Sequence, residues 1–201
     1  YAVANIRGGG EYGEEWHQQG MLTNKQNVFD DFIAAAEFMV DRGYTSHERL
    51  SIMGGSNGGL LMGATLTQRP QLARAVVSYV GIYDMIRSEL SANGSFNIPE
   101  FGTIQNPEHF TALHAYSPYH HVVDETAYPA VFFLTGENDP RVDPMQSRKM
   151  TARLQAATAS EHPILLRSSS NSGHGLDTPL SEQIEETAAV YRFLLHELGV
   201  D

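Results

Sequence analysis

The chain has 201 residues, 41% hydrophobic and 18% charged, the proportions of one globular domain with a single large core. Acidic residues outnumber basic ones 24 to 13, and a net charge of −11 without any basic run argues against a nucleic-acid partner. The lack of cysteine excludes a thiol nucleophile, a disulfide framework and a thiolate metal site, and no apolar run approaches the ~18 residues of a membrane span.

Residues 1–6 read as a strand and open the chain without an initiator Met or a signal peptide, as a piece of a longer protein would. A glycine-rich loop occupies 7–20. The spacing of Val28, Phe32, Ile33, Ala36, Met39 and Val40 predicts a helix over 27–42. Asn27 is its expected cap, with Asp30 and Asp31 near the positive end of the helix dipole. Residues 49–53 predict a short buried strand, and 57–68 have helical composition. A strand follows at 75–80. Residues 84–127 lack a clean period and carry polar, aromatic and proline turns, as an excursion over the active face would. Then come a strand at 130–134, a helix at 143–157, a strand at 163–167 and a helix at 180–198. The last shows an apolar stripe of Ile184, Ala188, Tyr191, Leu195 and Leu198. Such alternation implies a mostly parallel sheet with helices on both faces and its chemistry at the carboxyl ends of the strands.

Between the second predicted strand and its helix stands Gly54-Gly55-Ser56-Asn57-Gly58. A G-x-S-x-G in that context is the nucleophile elbow of the α/β-hydrolase fold. The turn is expected to be tight enough that both Gly54 and Gly58 are required.

A serine nucleophile needs a histidine base and a carboxylate to orient it, following in the order Ser, acid, His. The loop after 130–134 carries Asp139, and the loop after 163–167 carries His174 between Gly173 and Gly175. Glu137 and Asp143 flank Asp139. Glu137 falls closer to the strand end and Asp143 is expected to start the next helix, so Asp139 is preferred. The adjacent His120 and His121 cannot easily chelate one ion, and no H-E-x-x-H or comparable spacing predicts a metal. No cofactor is implied.

Acyl transfer builds negative charge on a carbonyl oxygen, and two preorganised donors usually meet it. One is expected from the amide of Asn57. The other would come from the loop Arg7-Gly8-Gly9-Gly10-Glu11-Tyr12-Gly13, through a backbone amide or the Tyr12 hydroxyl. Three glycines also suit phosphate, but neither G-x-x-x-x-G-K-[ST] nor G-x-G-x-x-G is present.

The string 4–13, Ala-Asn-Ile-Arg-Gly-Gly-Gly-Glu-Tyr-Gly, resembles the oxyanion loop of the prolyl oligopeptidase family. Gly54-Gly55-Ser56-Asn57-Gly58-Gly59 resembles its elbow, and Tyr116-Ser117-Pro118, Asp139-Pro140-Arg141-Val142 and Gly173-His174-Gly175 resemble further motifs in the same order. The resemblance covers essentially the whole chain. It implies a serine peptidase acting on short peptides, commonly after proline, with Ser56, Asp139 and His174 as triad. It also implies that the Tyr12 hydroxyl and the Asn57 amide form the oxyanion hole, and that Arg141 holds a substrate carbonyl. As partners it implies peptide substrates, the first strands of the hydrolase domain and a β-propeller, the last two not found in this chain. Where the family has a tryptophan that stacks on the proline ring, this chain aligns Asn97. Phe96 is expected to turn inward instead, with Phe101 and Val142 completing an apolar slot. An esterase with the same triad, and an inactive fragment of a larger peptidase, are the alternative readings. Nothing in the residues identifies a compartment.

Overall fold

The computed structural model of the chain describes residues 1–175 and 178–200. Its centre is a parallel sheet in the order β1 (Ser51–Gly55), β2 (Ala75–Tyr79), β3 (Ala130–Gly136) and β4 (Ile164–Ser169). The helices are α1 (Glu14–Gln18), α2 (Gln26–Asp41), α3 (Asn57–Gln68), α4 (Ile98–Phe101), α5 (Pro107–Tyr116), α6 (Met145–Ala157) and α7 (Leu180–Glu197). β3 is buried along its whole length, as an interior parallel strand covered on both faces must be.

Alternate residues of the strands feed two cores. Val76, Val131 and Phe133 pack with Phe29 of α2, Leu60 of α3, and Met150 and Leu154 of α6. Ala75, Val77, Phe132 and Leu134 point the other way, against Val190, Phe193 and Leu194 of α7. Each such large side chain contributes about 1.5–3 kcal/mol on burial. The sheet is thereby packed on both faces, and its carboxyl-end loops extend from strands fixed by that packing.

Three expectations are corrected. Residues 1–6 form no strand, because a strand exists only through a paired ladder and these residues find no partner among the described ones. Tyr1 and Val3 stand exposed, while the Ile6 carbonyl accepts from the Trp16 indole at 2.8 Å. Asn27 does not cap α2. A 3-10 turn at Leu22–Asn24 runs into the helix through Lys25, and the Asn27 side chain donates to the Gln19 carbonyl at 2.8 Å. The stripe expected to bury α7 faces outward at Ile184, Tyr191 and Leu195. Val190, Phe193 and Leu194 are buried instead, because they meet the sheet face built by Val77, Phe132 and Leu134, and Glu197 is buried in its pair with Arg74.

Candidate active site

β1 ends at Gly55 and α3 begins at Asn57, leaving Ser56 alone to turn the chain. It does so at φ 58° and ψ −116°, a conformation that side chains other than glycine's rarely adopt. The Ser56 amide donates to the Tyr79 carbonyl at 2.9 Å, and the Ser56 carbonyl accepts from Gly59 and Leu60 at 2.9 and 3.1 Å. A Cβ at Gly54 would lie 2.5 Å from the Gly58 carbonyl oxygen, so glycine is required there. Gly58 differs from expectation, since a Cβ on it meets nothing within 4 Å. The crowded second position is Gly59, whose Cβ would stand 2.5 Å from the Gly81 Cα, where α3 crosses the end of β2.

Asp139 lies just beyond β3 with a fully buried side chain. Its Oδ1 accepts from the amides of Arg141 and Val142 at 2.8 and 2.9 Å, which fixes the carboxylate plane. Its Oδ2 lies 2.7 Å from Nδ1 of His174, on the loop after β4. The Nε2 of the same ring lies 2.9 Å from the Ser56 Oγ. An ionised carboxylate only accepts, so Nδ1 carries the ring proton and Nε2 is left to accept from the serine hydroxyl. The two loops are stitched to each other: the Asn138 amide donates to the Ser172 carbonyl at 3.2 Å, and its side chain donates to the Ser170 backbone carbonyl at 2.7 Å. Glu137 is turned away, accepting from Arg148 and Ser168 at 3.0 Å each. Asp143 accepts from the Met145 amide at 2.8 Å, at the start of α6.

The glycine loop is closed onto α1. The Gly8 amide donates to the Trp16 carbonyl at 3.0 Å, and the Tyr12 ring stands edge-on to Trp16 at 5.1 Å between centroids. Arg7 clamps the loop to α2 by donating to both oxygens of Asp31, at 2.8 and 2.5 Å. Tyr12 and Asn57 are both exposed.

The expected pocket residues part company. Val142 is buried and, with Asn97, Arg141 and Gln146, lines a small cavity. Phe96 does not turn inward: it is 82% exposed, because the 3-10 turn Gly94–Asn97 presents Asn97 to the cavity and Phe96 to solvent. Phe101 does not line the slot either. It is buried in the core, with the Lys25 ammonium 5.1 Å from its ring centroid.

Lys25 belongs to a cluster that was not expected. Its buried Nζ donates to Oε1 of Glu100 at 2.7 Å, Nε2 of His17 lies 2.9 Å from Oε2, and the Asn57 side chain donates to Oε1 at 3.4 Å. Burial pushes the Lys25 ammonium below its ordinary value, an effect Glu100 opposes. Burial alone would raise the Glu100 carboxyl, but Lys25 and His17 bring it below the usual range. The only signal in the chain for this cluster was a lysine just before an apolar helix, which reads equally well as solvated.

The sequence profile of the prolyl oligopeptidase family matches residues 1–201. The chain belongs to that family. It is 44% identical to a prolyl endopeptidase of Dictyostelium discoideum, covering all of this chain and 27% of the relative. A prolyl endopeptidase of Elizabethkingia meningoseptica is also 44% identical, with 28% of it covered. A solved structure described as one of two prolyl endopeptidases superposes with a TM-score of 0.97 at 51% identity, over all of this chain and 30% of that one. Prolyl oligopeptidase B from Galerina marginata, bound to a 35mer hydrolysis and macrocyclization substrate, gives 0.93 at 36% identity, over 98% of this chain and 28% of its own. The prolyl oligopeptidase-family chain therefore has the α/β-hydrolase fold and spans a little over a quarter of the length of these relatives.

Proposed function

We propose that the protein containing this chain is a serine peptidase that hydrolyses short peptides, with cleavage after proline as its preferred reaction. The observation that carries the reading is the unbroken line of hydrogen bonds from Asp139 through His174 to Ser56, at 2.7 and 2.9 Å. Ser56 Oγ attacks the scissile carbonyl carbon while His174 Nε2 takes its proton. Asp139 holds the ring tautomer and stabilises the imidazolium that forms. The tetrahedral oxyanion is met by the Asn57 amide and the Tyr12 hydroxyl. When the C–N bond breaks, His174 returns the proton to the leaving amine, giving an acyl-serine that water cleaves by the same steps. Arg141, on the rim of the Asn97 cavity, is the candidate for binding a substrate carbonyl with its planar fork. The names of the relatives support the peptidase assignment and the proline preference.

The test is labelling of the natural polypeptide that contains this chain with a fluorophosphonate, followed by kcat/KM on matched peptide and ester substrates. Labelling at Ser56 with preferential peptide hydrolysis is expected. An unlabelled Ser56 means an unassembled site, and exclusive ester turnover means an esterase.

A further inference from the structure

One carboxylate touches both segments assigned above to oxyanion binding. Oε2 of Glu100 meets His17 of α1, the helix that follows Tyr12, and Oε1 meets the side chain of Asn57, the residue after Ser56. The third partner, Lys25, lies with 1% of its side chain exposed at the entrance to α2. Glu100 itself belongs to α4, within the excursion between β2 and β3, three residues after Asn97.

From this juxtaposition we infer that Glu100 is the positioning residue of the oxyanion hole, setting the spacing between its two donors. The inference rests on the assignment of Ser56 as nucleophile and Tyr12 as donor. Tyr12 sits on an exposed loop, with the edge of Trp16 against its ring. That loop closes onto α1 through Gly8 and Trp16 and is clamped to α2 by Arg7, and His17 ties α1 to Glu100. Lys25 keeps the carboxylate ionised, so that both of its oxygens accept at once. A cluster serving stability alone needs only the Lys25 pair. Its extension to His17 and Asn57 ties both donor-bearing segments to α4 and to the start of α2.

Catalysis is sensitive to sub-ångström donor placement, so loosening α1 should reduce transition-state stabilisation more than substrate binding. His17→Ala removes that arm without leaving Lys25 unpaired, and Glu100→Gln removes the charge. Each is measured alone and with Tyr12→Phe, on a short peptide carrying a chromogenic amide after proline, together with the thermal midpoint. Tyr12→Phe alone should lower kcat by ~10²–10³. His17→Ala should lower kcat by about 10-fold with KM within about 2-fold, and should cost less than about 2-fold once Tyr12 is phenylalanine. Glu100→Gln should show the same loss of effect in the Tyr12→Phe background. If the losses multiply in full, fall on KM, or appear only in the thermal midpoint, Glu100 is merely structural and the inference is overturned. If Ser56 is not labelled by the fluorophosphonate, or Tyr12→Phe is silent, the underlying functional reading falls and this inference with it.

Discussion

The amide of Ser56 donates to the carbonyl of Tyr79 at 2.9 Å, so the turn that carries the proposed nucleophile hangs on the neighbouring strand. That bond, with the two that close on the Ser56 carbonyl, holds the residue at φ 58°. The conformation costs of order 1–3 kcal/mol, which glycine does not incur. Ser56→Gly and Ser56→Ala both remove the hydroxyl, but only the first relieves the backbone. After allowing for glycine's greater chain entropy, Ser56→Gly should be about 1 kcal/mol more stable than Ser56→Ala in denaturant unfolding. Equal stability would mean that the turn stores no strain.

The carboxylate assignment separates three neighbours. Asp139→Asn disturbs the tautomer of His174 and should lower kcat by ~10³–10⁴. Glu137→Gln loses exposed contacts to Arg148 and Ser168, and Asp143→Asn alters the start of α6 and the wall of the Asn97 cavity without touching the His174 ring, so both should retain kcat within about 2-fold. Steady-state kinetics on one peptide substrate decides it: a Glu137→Gln variant as impaired as Asp139→Asn would move the acid of the proposed triad.

The elbow glycines are not equivalent. Gly54→Ala and Gly59→Ala each drive a Cβ to 2.5 Å from backbone that cannot yield, and each should cost ~1–3 kcal/mol. Gly58→Ala meets nothing and lies inside α3, so alanine should gain up to about 1 kcal/mol through helix propensity. Unfolding midpoints of the three variants rank them directly.

Acid should loosen the glycine loop. The hydrogen bonds from Arg7 hold the Asp31 carboxyl below its ordinary value. A carboxyl whose folded pKa is depressed contributes stability that is complete above the unfolded value of about 3.9 and is lost as pH falls through the folded one. Stability should therefore drop more steeply below about pH 4 in the natural protein than in Asp31→Asn, measured by denaturant midpoints at a series of pH values. Parallel slopes would remove Asp31 from the account.

Much of this architecture could be read from the residues, because strongly patterned elements carry their own evidence. The four strands and the helices around them fall within a few residues of their expected bounds, and the loops after β3 and β4 are where Asp139 and His174 were sought. What failed had a physical reason. α7 is apolar on two faces, and periodicity alone cannot choose which one meets the sheet. α5 was missed although Asn106-Pro107 marks its start. Asn106 accepts from the amides of Glu108 and His109 at 2.9 and 3.4 Å, but the short apolar pattern behind it was too weak to read. The Glu100 cluster joins residues far apart in the chain, and no local pattern encodes such a meeting.

The pocket prediction follows from that same excursion. Phe96 is exposed while Asn97, Arg141 and Val142 share a cavity, so in this arrangement no aromatic wall from Phe96 faces the cavity. Phe96→Ala should leave the ratio of kcat/KM between matched proline and alanine substrates within about 2-fold, since an exposed ring contributes little discrimination. Asn97→Ala changes the cavity itself, which holds about 10 Å³ in this structure, by removing an amide from its wall and opening space beside Val142. It should shift that ratio by about 5- to 10-fold, within the ~1–3 kcal/mol that one pocket contact supplies. Among the described residues Asn97 makes no hydrogen bond to Ser56 or His174, so the rate of fluorophosphonate labelling should stay near that of the natural protein. A Phe96→Ala variant that loses proline preference while Asn97→Ala keeps it would mean that the turn at 94–97 rotates on substrate binding and brings the ring inward.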